Sequence, residues 1–304
     1  MTTQLVLGAG LIGTALVERL VARGDTVIVA TRRGTAVPGA ASVALDASDA
    51  AAIAVAAAGA DTIFNCINPP YGQWSALWPP VFAAVLDAAE RSGASLVTMG
   101  NLYPNGRATM PMTEHSPERP ADRKGAVRSD GWRLAKAAND RGAVRAVEVR
   151  ASDYFGPGAG PTSHLGAAFF QPLLHSRTAR VVGNPALPHS WAYLPDIAAT
   201  LEAAADHRGD WGRLWHVPPA TNASRVDIAA QVNERYGTHG TLAPYPLPLL
   251  RAIGVFSPDI REVARSSYQF TAPWVNTAEE TERELGVRPS AWDDAFETTV
   301  ASYR

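Results

Sequence analysis

Apolar residues fall in short blocks along the first hundred positions, and the blocks alternate between two spacings. Gln4 to Leu7 is a compact apolar run closed by glycine, as a buried strand is, whereas Leu11 to Ala22 carries apolar residues at helical spacing and stops at Gly24. Thr26 to Ala30 and Ala41 to Leu45 are further strand-like runs. An alanine-rich helix is expected from Asp49 to Ala58, a strand from Thr62 to Ile67, a helix from about Pro80 to Ser92 and a strand from Ser95 to Met99. Strands alternating with helices connect through right-handed crossovers, so the pattern predicts an α/β fold around a doubly wound parallel sheet.

After Gly100 the texture changes. Residues 101 to 128 are rich in Pro, Arg, Gly and Asn, as a long functional loop is, and a helix from about Ser129 to Asp140 and a strand from Arg145 to Arg150 then extend the sheet. From Phe155 onward Gly156-Pro157-Gly158, Pro185, Pro188, Pro218-Pro219 and the run Pro244, Pro246, Pro248 break the alternation. The expected division is a cofactor-binding domain over residues 1–155, its sheet completed by later segments at about 190–218, and a smaller, mainly substrate-binding part over 156–304.

Composition narrows the partners. With 46% hydrophobic and 18% charged residues over 304 positions, the chain can bury a sizeable core. Its net charge of -2, from 27 basic and 29 acidic residues, gives no footprint for nucleic acid or an anionic membrane, so a small-molecule partner is expected. No apolar span reaches 18 residues, and the start MTTQLVLGAG runs straight into a strand without a leader pattern, from which a cytoplasmic location is expected. The single cysteine, Cys66, sits in an apolar run and reads as a buried small hydrophobe. Seven scattered histidines show no ligand spacing, so no metal is expected, and no GxSxG elbow occurs.

Gly8-Ala9-Gly10-Leu11-Ile12-Gly13 follows one predicted strand and opens a helix, which is the context a dinucleotide-binding turn of the Rossmann type needs. Gly8 permits the turn, Gly10 lets the backbone approach a pyrophosphate and Gly13 lets helix and strand pack closely, while the free N–H groups at the helix start attract phosphate. The second strand decides between dinucleotides: an acid there accepts ribose hydroxyls, whereas arginine suits a 2'-phosphate. The chain reads Thr31-Arg32-Arg33, and the nearby acid, Asp25, lies at the strand's wrong end, so NADP is the expected cofactor, with Arg32 the stronger phosphate ligand.

Together these features resemble the short-chain dehydrogenase/reductase superfamily, in particular its extended epimerase/dehydratase branch, over nearly the whole chain. The resemblance implies that Asp46 contacts adenine, that Asn65, Cys66 and Ile67 lie along the cofactor, and that Met99 and Gly100 end the fifth strand. It also implies that Ala151 and Ser152, within Arg150-Ala151-Ser152-Asp153-Tyr154-Phe155-Gly156-Pro157-Gly158, lie near the nicotinamide. Trp191 to Ala198 and Glu284-Leu285-Gly286-Val287-Arg288-Pro289 are similar to the branch's later segments. Members often pair through helices of the nucleotide domain, which implies a homodimer. The branch uses a Tyr-x-x-x-Lys pair on a helix and a hydroxyl at the end of strand five.

Here Trp132-Arg133-Leu134-Ala135-Lys136 matches the pair with tryptophan in the tyrosine's place, and Gly100 and Asn101 stand where the hydroxyl belongs. Indole cannot exchange a proton near neutral pH. Lys136 then binds the nicotinamide ribose or merely faces solvent, and Tyr103, Tyr154, Tyr193, His115, His164 and His189 are the remaining proton-transfer candidates, Tyr154 foremost. The expected activity is an NADP(H)-dependent oxidoreductase acting on a small carbonyl or hydroxyl substrate. The alternatives are a nucleotide-binding sensor without turnover and a non-redox isomerase or lyase.

Overall fold

The computed structural model describes residues 1–160 and 163–304. The first half of the chain runs β1 (Thr3–Leu7), α1 (Leu11–Arg23), β2 (Thr26–Thr31), β3 (Ala41–Ala44), α2 (Ala50–Ala56), β4 (Thr62–Asn65), α3 (Trp74–Ser92), β5 (Ser95–Asn101), α4 (Arg123–Asp140) and β6 (Ala146–Ala151). It continues through β7 (Asp153–Phe155), α5 (Ala167–Leu174), β8 (Thr178–Val181), β9 (Trp191–Tyr193), α6 (Leu194–Asp206), β10 (Leu214–His216), α7 (Arg225–Tyr236), β11 (Thr241–Pro244), α8 (Leu247–Ile253), α9 (Pro258–Ser266) and α10 (Trp292–Ala301). Seven strands form a parallel sheet in the order β3-β2-β1-β4-β5-β6-β10. The central strands are buried on both sides, as in Leu5-Val6-Leu7 and Ile63-Phe64, because helices cover both faces.

One face packs against α2, α3 and α4 through Ile53, Trp78, Val85, Trp132 and Ala135. The other packs against α1 and α6, where Leu16, Val17 and Leu20 meet Ile197, Leu201 and Ala204. A further apolar cluster, built on Phe155, Phe169, Phe170, Trp191 and Phe296, holds α5, α7 and α10 together. Residues after 155 thus supply the seventh strand, β10, and the helix α6, while β9 pairs with β7 in a separate two-stranded sheet.

Two helices begin earlier than the pattern predicts. α3 starts at Trp74 and carries Pro79 and Pro80 inside it, while Trp74, Trp78 and Phe82 lie buried on one face. Proline's preference for the first helical turn makes Pro80 look like a start. α4 starts at Arg123, capped by Asp122, whose carboxylate accepts from the Gly125 amide at 2.8 Å.

α3 and α4 approach closely at Gly131, where a Cβ would lie 2.4 Å from the Phe82 ring. Gly131→Ala gains about 1 kcal/mol of helix propensity, but overpacking against the ring is expected to cost about 1–3 kcal/mol. The urea midpoint of the variant should therefore fall; an unchanged or higher midpoint would mean that Phe82 moves aside freely.

Candidate functional site

The sheet order reverses between β1 and β4, and at such a point the carboxyl ends of the strands open a crevice. The glycine turn fills one wall of it. Gly8 has φ +101°, and a Cβ there would lie 3.0 Å from the Cys66 carbonyl oxygen. At Gly13 a Cβ would lie 2.0 Å from the Gly8 oxygen, so only glycine allows α1 to start against β1. Gly10 has nothing within 4 Å of its Cβ position, and no side chain caps α1 there. An uncapped helix start facing open space, with Leu11 and Ile12 in its first turn, fits the pyrophosphate of a dinucleotide.

Beyond the turn lie two adjoining spaces. An inner chamber of about 110 Å³ is bordered by Ile12, Cys66, Ile67, Met99, Gly100, Asn101, Arg128, Ala151 and Ser152. A larger cleft of about 730 Å³ is bordered by Arg32, Lys124, His164, Arg180 and Arg225, and the two spaces share Asn68, Tyr71, Tyr103, Asp153, Tyr154 and Gln269. The buried Ser152 hydroxyl has no partner in the protein, so the inner chamber offers it to a bound group.

About half of the residues singled out in the sequence border these spaces, and others lie at the strand ends beside them. Thr31 closes the turn after β2, its Oγ1 accepting from the Thr35 amide at 2.7 Å, and Arg32 and Arg33 extend into solvent beyond it. Asp46 accepts from the Ser48 amide and hydroxyl at 2.9 and 2.7 Å, bonds that, with a smaller contribution from Arg32, hold its carboxyl below the ordinary range. Asn65 accepts from the Ile67 amide at 3.3 Å and Asn101 from the Tyr103 amide at 3.1 Å, each fixing a loop at a strand end. Burial pushes the Cys66 thiol up to about 12, so it is inert packing.

Trp132 and Lys136 lie elsewhere. Trp132 is in the core between the sheet and α3, and the half-exposed Lys136 ammonium pairs with Asp140 at 2.8 Å on the outer face of α4. Neither borders the chamber or the cleft. The residues of α4 that do are two turns earlier: Lys124 faces the cleft and Arg128, four positions on, faces the chamber. Arg128 donates to the Met99 carbonyl and lies 4.6 Å over the Trp78 ring. The signal was present as a basic i, i+4 pair, but it fell in the stretch that reads as loop. Tyr193 and His115 also lie off both spaces; His115 sits on the surface beside Glu280 at 2.7 Å.

The shared wall holds an ordered polar group. Asp153 accepts from or shares a proton with His189, Oδ2 to Nε2 2.7 Å, and His189 stacks on Phe270. Burial opposes ionisation of Asp153, yet the His189 hydrogen bond and the nearby cations outweigh it and hold the carboxyl below its usual range. The Tyr71 and Tyr103 hydroxyls are 3.4 Å apart, and burial raises both, Tyr71 to about 12. Among the described residues no group of His, Cys, Asp or Glu could hold a metal, and no helix is long and apolar enough to cross a membrane.

This seven-stranded, doubly wound sheet with a glycine turn at its switch point is the fold of the extended short-chain dehydrogenases/reductases. Residues 4–217 match the model of the NAD dependent epimerase/dehydratase family, and the chain belongs to that family. No curated protein sequence matches it. Among solved structures it is similar to an epimerase from Methanothermobacter thermautotrophicus (16% identity, TM-score 0.81, covering 99% of this chain and 92% of that one). It is also similar to a dTDP-glucose 4,6-dehydratase from Streptomyces venezuelae solved with NAD bound (20%, 0.79, 100% and 97%) and to a UDP-glucose 4-epimerase from Thermotoga maritima (15%, 0.79, 99% and 98%). At these identities the likeness is one of fold.

Two measurements follow from this geometry. Lys136→Ala should leave dinucleotide affinity within a factor of about two, because a surface ion pair contributes little; a larger loss would put the lysine back at the cofactor. Burial also pulls His164 and His216 down to about 4 from 6.5. Such histidines stay neutral in the folded chain and take up a proton on unfolding, so their contribution is complete above pH 6.5 and is lost as pH falls towards 4. The melting temperature is expected to drop across that window, with a shallower slope in His216→Gln; an unchanged slope would assign the loss to other groups.

Proposed function

We propose that the chain is an NADP(H)-dependent oxidoreductase of the extended short-chain type, acting on a small carbonyl or hydroxyl substrate in the 730 Å³ cleft. The observation that carries the reading is the combination of an open, uncapped turn at Gly10 with two exposed arginines, Arg32 and Arg33, at the end of β2 where an NAD site would carry an acid. Neither arginine makes an ion pair among the described residues, so both guanidinium groups are free to take a 2'-phosphate.

The residues divide the work. The first-turn amides of α1 hold the pyrophosphate. Ile67, Met99 and Ser152 border the chamber side where a nicotinamide ring fits, and the protein's contribution there is to orient it and keep water out. Bound in that position, the nicotinamide supplies or accepts a hydride.

A second reading, an epimerase or dehydratase with no net redox change, is favoured by the family match over residues 4–217. The two differ in whether reduced cofactor is consumed. A panel of aldehydes, ketones and sugar nucleotides, followed by NADPH absorbance and by product analysis, separates them: net loss of NADPH supports the reductase, and conversion without loss supports the epimerase or dehydratase. Silence throughout would favour a nucleotide-binding sensor.

For the cofactor, fluorescence titration should show NADPH binding more tightly than NADH, and Arg32→Ala should weaken NADPH about tenfold or more while leaving NADH unchanged, as expected for a lost charge-assisted contact. Equal affinity for the two dinucleotides in the native chain would overturn the phosphate-clamp reading.

A further inference from the structure

The chain uses arginine almost everywhere it needs a cation: of its 27 basic residues, two are lysines, Lys124 and Lys136. Lys136 lies on the outer surface, paired with Asp140. Lys124 is 2% exposed and borders the cleft. Its ammonium donates to the Glu262 carbonyl at 3.1 Å and to the Ser266 hydroxyl, and sits 4.6 Å from the Tyr71 ring and 5.4 Å from the Tyr103 ring. Among the described residues it makes no ion pair. Tyr71 and Tyr103 also border the inner chamber, so this ammonium stands beside the wall that the two spaces share.

We infer that Lys124 is the residue that exchanges a proton with the substrate oxygen, with Arg128, one helical turn further on, fixing the floor of the chamber beneath it. The inference rests on the oxidoreductase reading above.

Tyr154, which borders both spaces, is the competing donor; the remaining groups around the shared wall are unsuited to the task. Tyr71 and Tyr103 are too weakly acidic once buried, His164 is neutral down to about pH 4, and Asp153 is already ionised against His189. The guanidinium groups of Arg128 and Arg225 stay charged at neutral pH. Lys124 differs. Burial pulls its ammonium below the ordinary lysine range, and Asp122 at the N-cap of its helix, Glu262 on α9 and Asp153 on β7 offset this only in part, while Arg265 adds to it.

In the reductive direction a hydride adds to the carbonyl carbon. The carbon–oxygen π pair moves to oxygen, and that oxygen takes a proton from the Lys124 ammonium. The carbonyl becomes an alcohol by gaining two electrons, the dihydronicotinamide dinucleotide loses the same two, and the lysine amine regains its proton from water in the cleft. Oxidation of an alcohol runs the same steps backwards, with Lys124 as base. Ser266 and the Glu262 carbonyl hold the nitrogen in place in both forms, since an amine can still donate to them.

Two lysines make a direct test feasible. In protein labelled with 13C at lysine Cε, two signals are expected, assigned by Lys136→Arg; the Lys124 signal should titrate below the ordinary lysine range, and titration within that range would overturn its role. Using NADPH and the first panel compound that turns over, Lys124→Arg and Lys124→Met should each lose at least about 100-fold in kcat, the scale of general acid catalysis. The wild-type pH-rate limb assigned to the lysine should vanish, while the Kd for NADPH stays within a factor of about three. Lys124→Arg retains the charge and the helix, so it guards against simple misfolding of Lys124→Met.

Survival of kcat or of that pH limb in Lys124→Arg, with NADPH still bound, overturns the lysine's role alone. A native chain that binds no NADPH or consumes none removes the oxidoreductase reading and the role of Lys124 with it.

Discussion

Everything at the site depends on how closely α1 can start against β1. With a Cβ on Gly13 only 2.0 Å from the Gly8 oxygen, any side chain there would push the helix off the strand and move its first amides away from the crevice. The same turn lies close against the loop after β4, since a Cβ on Gly8 would come within 3.0 Å of the Cys66 carbonyl oxygen. One contact therefore sets the helix start, the depth of the crevice and the position of the strand-end loops that border the chamber. The rest of the sheet can vary in detail; this crossing of backbones cannot.

From that crossing the charge pattern of the site follows. The helix start presents uncapped amides, the end of β2 presents Arg32 and Arg33, and the cleft wall carries Lys124, Arg180 and Arg225. Against these stands Asp153, tied to His189 at 2.7 Å. Arg225 is buried and makes no ion pair among the described residues, resting 4.6 Å over Phe270 and donating to the Val182 carbonyl at 2.7 Å. A cation kept this way is held by an aromatic face and a carbonyl dipole, with Asp153 the carboxylate that acts on it across the cleft.

The nucleotide-binding half was legible because its physics is local. Short apolar runs, a glycine turn between strand and helix, and the absence of an acid after β2 are each visible within ten residues. The site-bearing end of α4 was not, for a reason visible in its buried face. Lys124, Gly125, Arg128, Ser129 and Gly131 are buried in its first half, and Trp132, Ala135 and Ala138 in its second. Reading buried as apolar finds only the second half, starts the helix at Ser129 and moves its chemistry two turns too far, onto Trp132 and Lys136. The pairing of Asp153 with His189, 36 residues apart, was hidden for a different reason: β7 and β9 meet through tertiary packing that no local pattern announces.

The two basic residues at the inner end of α4 are not equivalent, and their difference matches their surroundings. Arg128 lies among Trp74, Trp78 and Phe82 with centroid distances of 5.9, 4.6 and 5.8 Å. A planar, weakly hydrated guanidinium suits such a stack and stays charged there at neutral pH, so it can anchor the Met99 carbonyl. An ammonium in that place would lose more hydration and release its proton. Lys124, by contrast, meets a carbonyl, a hydroxyl and two phenol rings, a setting that tolerates both the charged and the neutral nitrogen. Exchanging the two would put a group that titrates where charge must be constant, and a permanent charge where a proton has to come and go.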